Sequence, residues 1–116
     1  MTTVLVVDDE PEVVAIASEI LQDNGYRVLM ACTPARALDV LEHEPGIELL
    51  FTDIVMPGMS GFELARQAQA LQPALRVLYT SGYVRDAPPT LGSARLLAKP
   101  WRAAQLEDEV RNALGT

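Results

Sequence analysis

Short apolar runs alternate along this chain with longer stretches whose apolar positions recur at helical spacing. Val4-Leu5-Val6-Val7 is continuous, rich in β-branched side chains and bounded by Asp8-Asp9, the pattern of a strand buried on both faces. From Pro11 the period changes. Val13, Ala17, Ile20 and Leu21 form one stripe of a helix that Pro11 opens and Asn24-Gly25 stops. The alternation then repeats. Tyr26 to Ala31 predicts a second strand. Thr33-Pro34 opens a second helix with Leu38 and Leu41 inward, closed by Pro45-Gly46. Glu48 to Thr52 predicts a third strand that ends at Asp53, and a loop from Ile54 to Met59 follows. Ser60 and Glu63 have the spacing of a capping box at the head of a third helix, which places Leu64, Ala68 and Leu71 on one side and ends at Gln72-Pro73. Leu75 to Thr80 predicts a fourth strand and Arg95 to Ala98 a short fifth. The last helix runs from Ala103 to Leu114, with Leu106, Val110 and Ala113 or Leu114 inward.

A strand followed by a helix, repeated, makes each helix a crossover, so the expected sheet is parallel with helices on both faces. The rhythm breaks once. Between the fourth and fifth strands, Pro88-Pro89 and Gly92 oppose a regular helix, so the segment predicts a loop with at most one helical turn. The 116 residues, 49% apolar, suit a single domain spanning 1–116 with a core of its own. Nine basic residues against sixteen acidic give a net charge of −7, which argues against a nucleic-acid surface. Cys32 has no second cysteine to pair with and fits a reducing compartment. The start lacks the basic and apolar regions of a signal peptide, and no apolar run nears the roughly 20 residues of a membrane span. The expectation is a cytoplasmic domain with no membrane contact.

In an open parallel sheet the functional crevice lies beyond the carboxyl ends of the strands. Four of the five predicted strands end there in reactive groups: Asp8 and Asp9, Asp53, Thr80-Ser81, and Lys99, the one lysine of the chain. Singly, each has an ordinary explanation as a helix cap, a turn former or a solvated cation. Their convergence on one sheet edge favours a site. Three neighbouring carboxylates repel unless a cation intervenes, and an all-oxygen set suits Mg²⁺. Lys99 adds a point charge for a carboxylate or phosphate, and a hydroxyl can hydrogen-bond a phosphoryl oxygen. The set can hold a phosphoryl group on a carboxylate nucleophile. His43, the one histidine, falls at the end of the second helix among acids and reads as a solvated helix terminus.

The segments VLVVDDE, FTDIVMPGMSGFEL, LYTSGY and LLAKPW, in this order from Val4 to the last helix, resemble the receiver domain of two-component response regulators. The resemblance implies a flavodoxin-like (βα)5 fold, a five-stranded parallel sheet of order 2-1-3-4-5, here with the fourth helix short or absent. It implies that Asp53 accepts a phosphoryl group from a sensor histidine kinase or histidine phosphotransfer protein. Asp9, Asp53 and the Val55 backbone carbonyl would then ligate Mg²⁺, Asp8 would act through water, and Lys99 would contact the phosphoryl oxygens. Of the adjacent hydroxyls, Ser81 fits the family's switch position better than Thr80, because the small Gly82 follows it. Pro100 would shape the strand-to-helix peptide, which in the family is often cis. Leu96 stands where the family often has an aromatic switch residue, so the responding element implied here is the 82–93 loop, with Gly82 as hinge and Tyr83 as its aromatic. A downstream effector would read the change, and the chain would catalyse only its own phosphorylation and slow dephosphorylation.

Two other readings compete. A Mg²⁺-dependent phosphohydrolase forming an aspartyl-phosphate would usually carry Asp-x-Asp and a cap, whereas this chain has Asp8-Asp9 and no length for one. A receiver-like interaction module that never takes phosphate would not need the full set of acids, hydroxyl and lysine. The sequence alone is compatible with a stand-alone receiver, a relay shuttle or part of a longer protein.

Overall fold

The computed structural model describes residues 1–82 and 95–115. The elements are β1 (Thr3–Val7), α1 (Pro11–Asp23), β2 (Arg27–Ala31), α2 (Pro34–His43), β3 (Leu49–Asp53), α3 (Gly61–Leu71), β4 (Arg76–Ser81), β5 (Arg95–Ala98) and α4 (Ala103–Leu114). The strands form one parallel sheet in the order β2-β1-β3-β4-β5, as expected. The segment expected to carry a short fourth helix or none, with Tyr83 and most of the switch loop, lies outside the described residues.

Every residue of β1 and β3 is buried, which explains why their sequences do not alternate: helices cover both faces. β2, at an edge, buries only Ala31 fully. On one face Leu5, Val7, Leu50, Val77 and Tyr79 pack against α2 and α3. On the other, Val4, Val6, Leu49, Phe51, Leu78 and Leu97 pack against α1 and α4.

Three expectations about facing are corrected. The inward residues of α1 are Val14, Ala17, Ser18 and Leu21, so Val14 replaces Val13 in the stripe. The helix is rotated because it must meet both β2 and α4, and Val13 turns instead toward the groove beside Lys99. On α3, Leu71 is 44% exposed and Ala65 takes its place with Leu64 and Ala68. On α2, Ala37 and Leu41 are buried, while Leu38 packs at the margin. Strand limits shift by a residue for identifiable reasons. Tyr26 donates its N–H to Leu21 O at 3.1 Å and Leu75 to Gln72 O at 3.0 Å, so both are still tied to the preceding helix ends.

Only half of the expected capping box forms. Ser60 Oγ accepts from Glu63 N at 3.2 Å, but the Glu63 carboxylate turns to Arg66, with contacts of 2.5 and 3.0 Å. That guanidinium holds the Glu63 carboxyl below its usual range. The fork of Arg66 outcompetes a single backbone N–H because it offers two charged donors.

Candidate functional site

Register brings the reactive residues together. Val7 pairs with Thr52, Asp53 with Thr80, and Ser81 with Ala98, so the chain positions just after these pairs share one rim of the sheet. Asp8 is buried there. Its Oδ1 accepts from Glu10 N at 2.9 Å and its Oδ2 from Lys99 Nζ at 2.8 Å. Lys99 Nζ also donates to Asp53 Oδ2 at 3.3 Å, and so spans two carboxylates from different strands. Asp9 is exposed, yet ligand atoms of Asp8, Asp9 and Asp53 all lie within 4.8 Å of one another.

The electrostatics follow from this crowding. Burial, and then the charge of Asp8, push the Asp53 carboxyl above its ordinary value; Lys99 and the Val55 N–H offset part of that. Burial alone would pull the Lys99 ammonium down, but hydrogen bonds to Asp8 and Asp53 and their charges outweigh it and hold Lys99 above its usual value. The site therefore strains against its own charge even with one lysine in place. Three convergent carboxylates, all-oxygen and open to solvent on the Asp9 side, fit a hard divalent ion such as Mg²⁺. A second group, Asp39, Glu42 and His43 on α2, also gathers three potential ligands. It is exposed, and Asp39 already holds Arg36 at 2.7 Å, so its charge is answered by the protein itself. His43 is the solvated helix terminus expected: it sits on Asp39 O at 2.8 Å, and that carbonyl, then the Asp39 charge, raise its pKa.

Of the remaining residues, Ser81 is buried at the end of β4 and accepts the Lys99 N–H through its carbonyl at 3.0 Å. The Lys99-Pro100 peptide is cis. Val55 carries an exposed side chain, 54%, on the loop after Asp53. Leu96 is partly buried on the face opposite the site, paired in register with Tyr79, whose ring meets Phe62 edge-on at 4.9 Å.

Two contributors escaped the sequence reading. Glu10 Oε1 lies 3.7 Å from Lys99 Nζ, a fourth carboxylate at the rim whose signal was its place directly after Asp9. Gly61 opens α3 directly against the backbone of Asp53, where an added Cβ would fall 2.2 Å from Asp53 O. Its signal was a glycine in a helical first turn, where most residues do better. Beside the rim, Val13, Ile16, Lys99, Pro100 and Trp101 line a mainly apolar groove of about 480 Å³.

A doubly covered parallel sheet with a carboxylate cluster and a lysine at its carboxyl rim is the architecture of a phosphoryl-accepting signalling domain. The response regulator receiver domain family matches residues 4–111, and the chain belongs to that family: it is a phosphoacceptor domain of two-component signalling. It is similar to the response regulator receiver protein CpdR of Brucella abortus (strain 2308), 33% identical over 121 residues and covering 98% of each chain. It is equally similar, 33% over 117 residues, to the sensor kinase CckA of the same organism, covering 97% of this chain and 12% of that protein. The receiver domain from the hybrid histidine kinase CckA superposes with a TM-score of 0.85 at 31% identity, covering 97% of this chain and 98% of that one. No helix among the described residues is long and apolar enough to cross a membrane.

Proposed function

We propose that Asp53 is the phosphoacceptor, that the donor is a phosphohistidine on a sensor kinase or a histidine phosphotransfer protein, and that Mg²⁺ is the cofactor. One observation carries this reading: Lys99 Nζ spans Asp8 and Asp53 at 2.8 and 3.3 Å, with Asp9 in the same cluster. One carboxyl oxygen of Asp53 attacks phosphorus as the phosphorus–nitrogen bond to the donor imidazole breaks, and the electron pair leaves with that nitrogen. Lys99 exchanges its carboxylate contacts for the incoming phosphoryl oxygens, and Ser81 hydrogen-bonds one of them. Asp9, Asp53 and the Val55 carbonyl would hold Mg²⁺ directly and Asp8 through water. When bound, the ion neutralises the carboxylates and the phosphoryl charge. The chain acts on itself and turns over no separate substrate. The apolar groove beside Lys99 seats the donor, and a downstream effector reads the phosphorylated form.

Incubation with acetyl phosphate and Mg²⁺ should add one phosphoryl group, seen by intact mass, and EDTA should prevent it. Ile16→Asp, in the groove, should slow transfer from a phosphorylated histidine phosphotransfer protein while leaving acetyl phosphate labelling unchanged. Labelling that persists in EDTA would remove the metal from the reading.

The roles of Asp9 and Lys99 are separable by metal titration, with Trp101 fluorescence as the probe. Asp9→Ala should weaken Mg²⁺ binding by about 1–3 kcal/mol, the worth of one charged contact. Lys99→Ala should leave the affinity equal or higher, because it removes a cation held between two of the carboxylates. Equal losses in both variants would contradict this division.

A further inference from the structure

The best-placed group without a task is the hydroxyl of Thr80. Thr80 is 1% exposed, and among the described residues its Oγ1 has no hydrogen-bond partner. By contrast Thr52, also buried, donates its hydroxyl to Asp53 O at 2.9 Å. A buried hydroxyl left unpaired costs free energy that valine, of nearly the same shape, would not. Thr80 therefore carries a polar atom at a position that folding alone would fill with a methyl group.

Its location gives that atom something to do. Parallel strands in register place paired side chains on the same face, about 4.8 Å apart. Thr80 is paired with Asp53 on one side and Leu97 on the other. Two residues before each of the first two, Leu78 and Phe51 lie in the layer against α1 and α4, and Leu97 lies there as well. Alternation thus puts Thr80 on the face of Asp53, directly beside it, with Lys99 two residues beyond Leu97 on the same side. In the resting site Lys99 supplies a charged donor to Asp53 Oδ2, so the carboxylate makes no demand on the hydroxyl.

Resting on the assignment of Asp53 as phosphoacceptor, we infer that Thr80 is a positioning residue for that carboxyl group. When Lys99 turns to the phosphoryl oxygens, Asp53 loses a hydrogen-bond donor on its inner side. The Thr80 hydroxyl, by rotation about χ1, donates to the carboxyl oxygen that does not bear phosphorus. It fixes the plane of the group while the oxygen–phosphorus bond forms or breaks, and no proton leaves Thr80. The hydrogen bond exists only once the phosphoryl group has drawn Lys99 away, so its loss slows transfer without weakening donor binding.

Thr80→Val and Thr80→Ser, with Thr80→Ala as a further variant, test this with acetyl phosphate and Mg²⁺. Thr80→Val should lower the maximal phosphorylation rate about tenfold, the effect of one neutral hydrogen bond, with the half-saturating acetyl phosphate concentration unchanged. The unphosphorylated Thr80→Val protein should melt at the same temperature or higher, since an unpaired hydroxyl has gone. Thr80→Ser should keep the wild-type rate. If Thr80→Val folds poorly, the comparison of Ser with Ala isolates the hydroxyl, as both lack the methyl group. Wild-type rates in Thr80→Val, or a lower melting temperature with wild-type rates, would overturn the inference and make the hydroxyl a structural one. Asp53→Asn separates this from failure of the underlying site: if that variant is still labelled, it is the phosphoacceptor assignment that falls.

Discussion

Asp53→Asn should incorporate no phosphoryl group from acetyl phosphate, and in EDTA it should be more stable than the wild type. The two effects have one origin. Asp53 is 6% exposed, and its carboxyl is pushed up by burial and then by Asp8. A carboxylate held against that pressure, the nucleophile proposed above, is retained at a cost in folding. Asparagine keeps the shape and can accept from Lys99, but it has neither the charge nor the nucleophilic oxygen. Because the folded-state value of Asp53 is raised, its charged form opposes folding above that value, and the penalty vanishes below the unfolded value near about 3.9. The stability gain of Asp53→Asn should therefore be largest at neutral pH, about 0.5–2 kcal/mol, and fade as pH falls through the carboxyl range. Chemical denaturation of both proteins across pH 3 to 8 measures it. A variant less stable than wild type at neutral pH would show that the Lys99 contact outweighs burial and the Asp8 charge.

Gly61→Ala should be the most damaging single-methyl change near the site. An added Cβ would meet Asp53 O at 2.2 Å, Ile54 Cα at 2.9 Å and Asp53 C at 3.0 Å. All three are backbone atoms, so no side chain can swing aside. Gly61 N also donates to Ile54 O at 2.8 Å, locking the start of α3 to the same peptide. Either α3 retreats or the Asp53–Ile54 peptide shifts, and that peptide aims the carboxylate proposed to accept the phosphoryl group. Overpacking of this kind costs about 1–3 kcal/mol or more. A displacement near 1 Å at the reacting group slows chemistry about 100-fold. Gly82→Ala is the control for stability: none of the described residues lies within 4 Å of its added Cβ, so its melting temperature should hardly change. Equal melting temperatures for Gly61→Ala and wild type would show that the helix start yields freely.

Much of the molecule is legible along the chain because its information is local. The continuous apolar runs of β1 and β3, and the helical stripes between strands, follow from periods of the backbone itself, and they fixed the element order and a parallel sheet. Parallel strands end on a common rim, so Asp8, Asp9, Asp53 and Lys99 meet there, with Ser81 at the end of β4 on the same rim. The tertiary structure decided what depends on neighbours remote in sequence. Val14 rather than Val13 faces inward on α1 because the helix answers to β2 and α4 together, and adjacent apolar positions give no local sign of which will win. The shorter contact of Lys99, to Asp8 rather than Asp53, joins residues 91 apart in the chain. The same holds for the approach of Gly61 to the Asp53 backbone and the pairing of Thr80 with Asp53, because strand register and helix seating, which no local period encodes, set them.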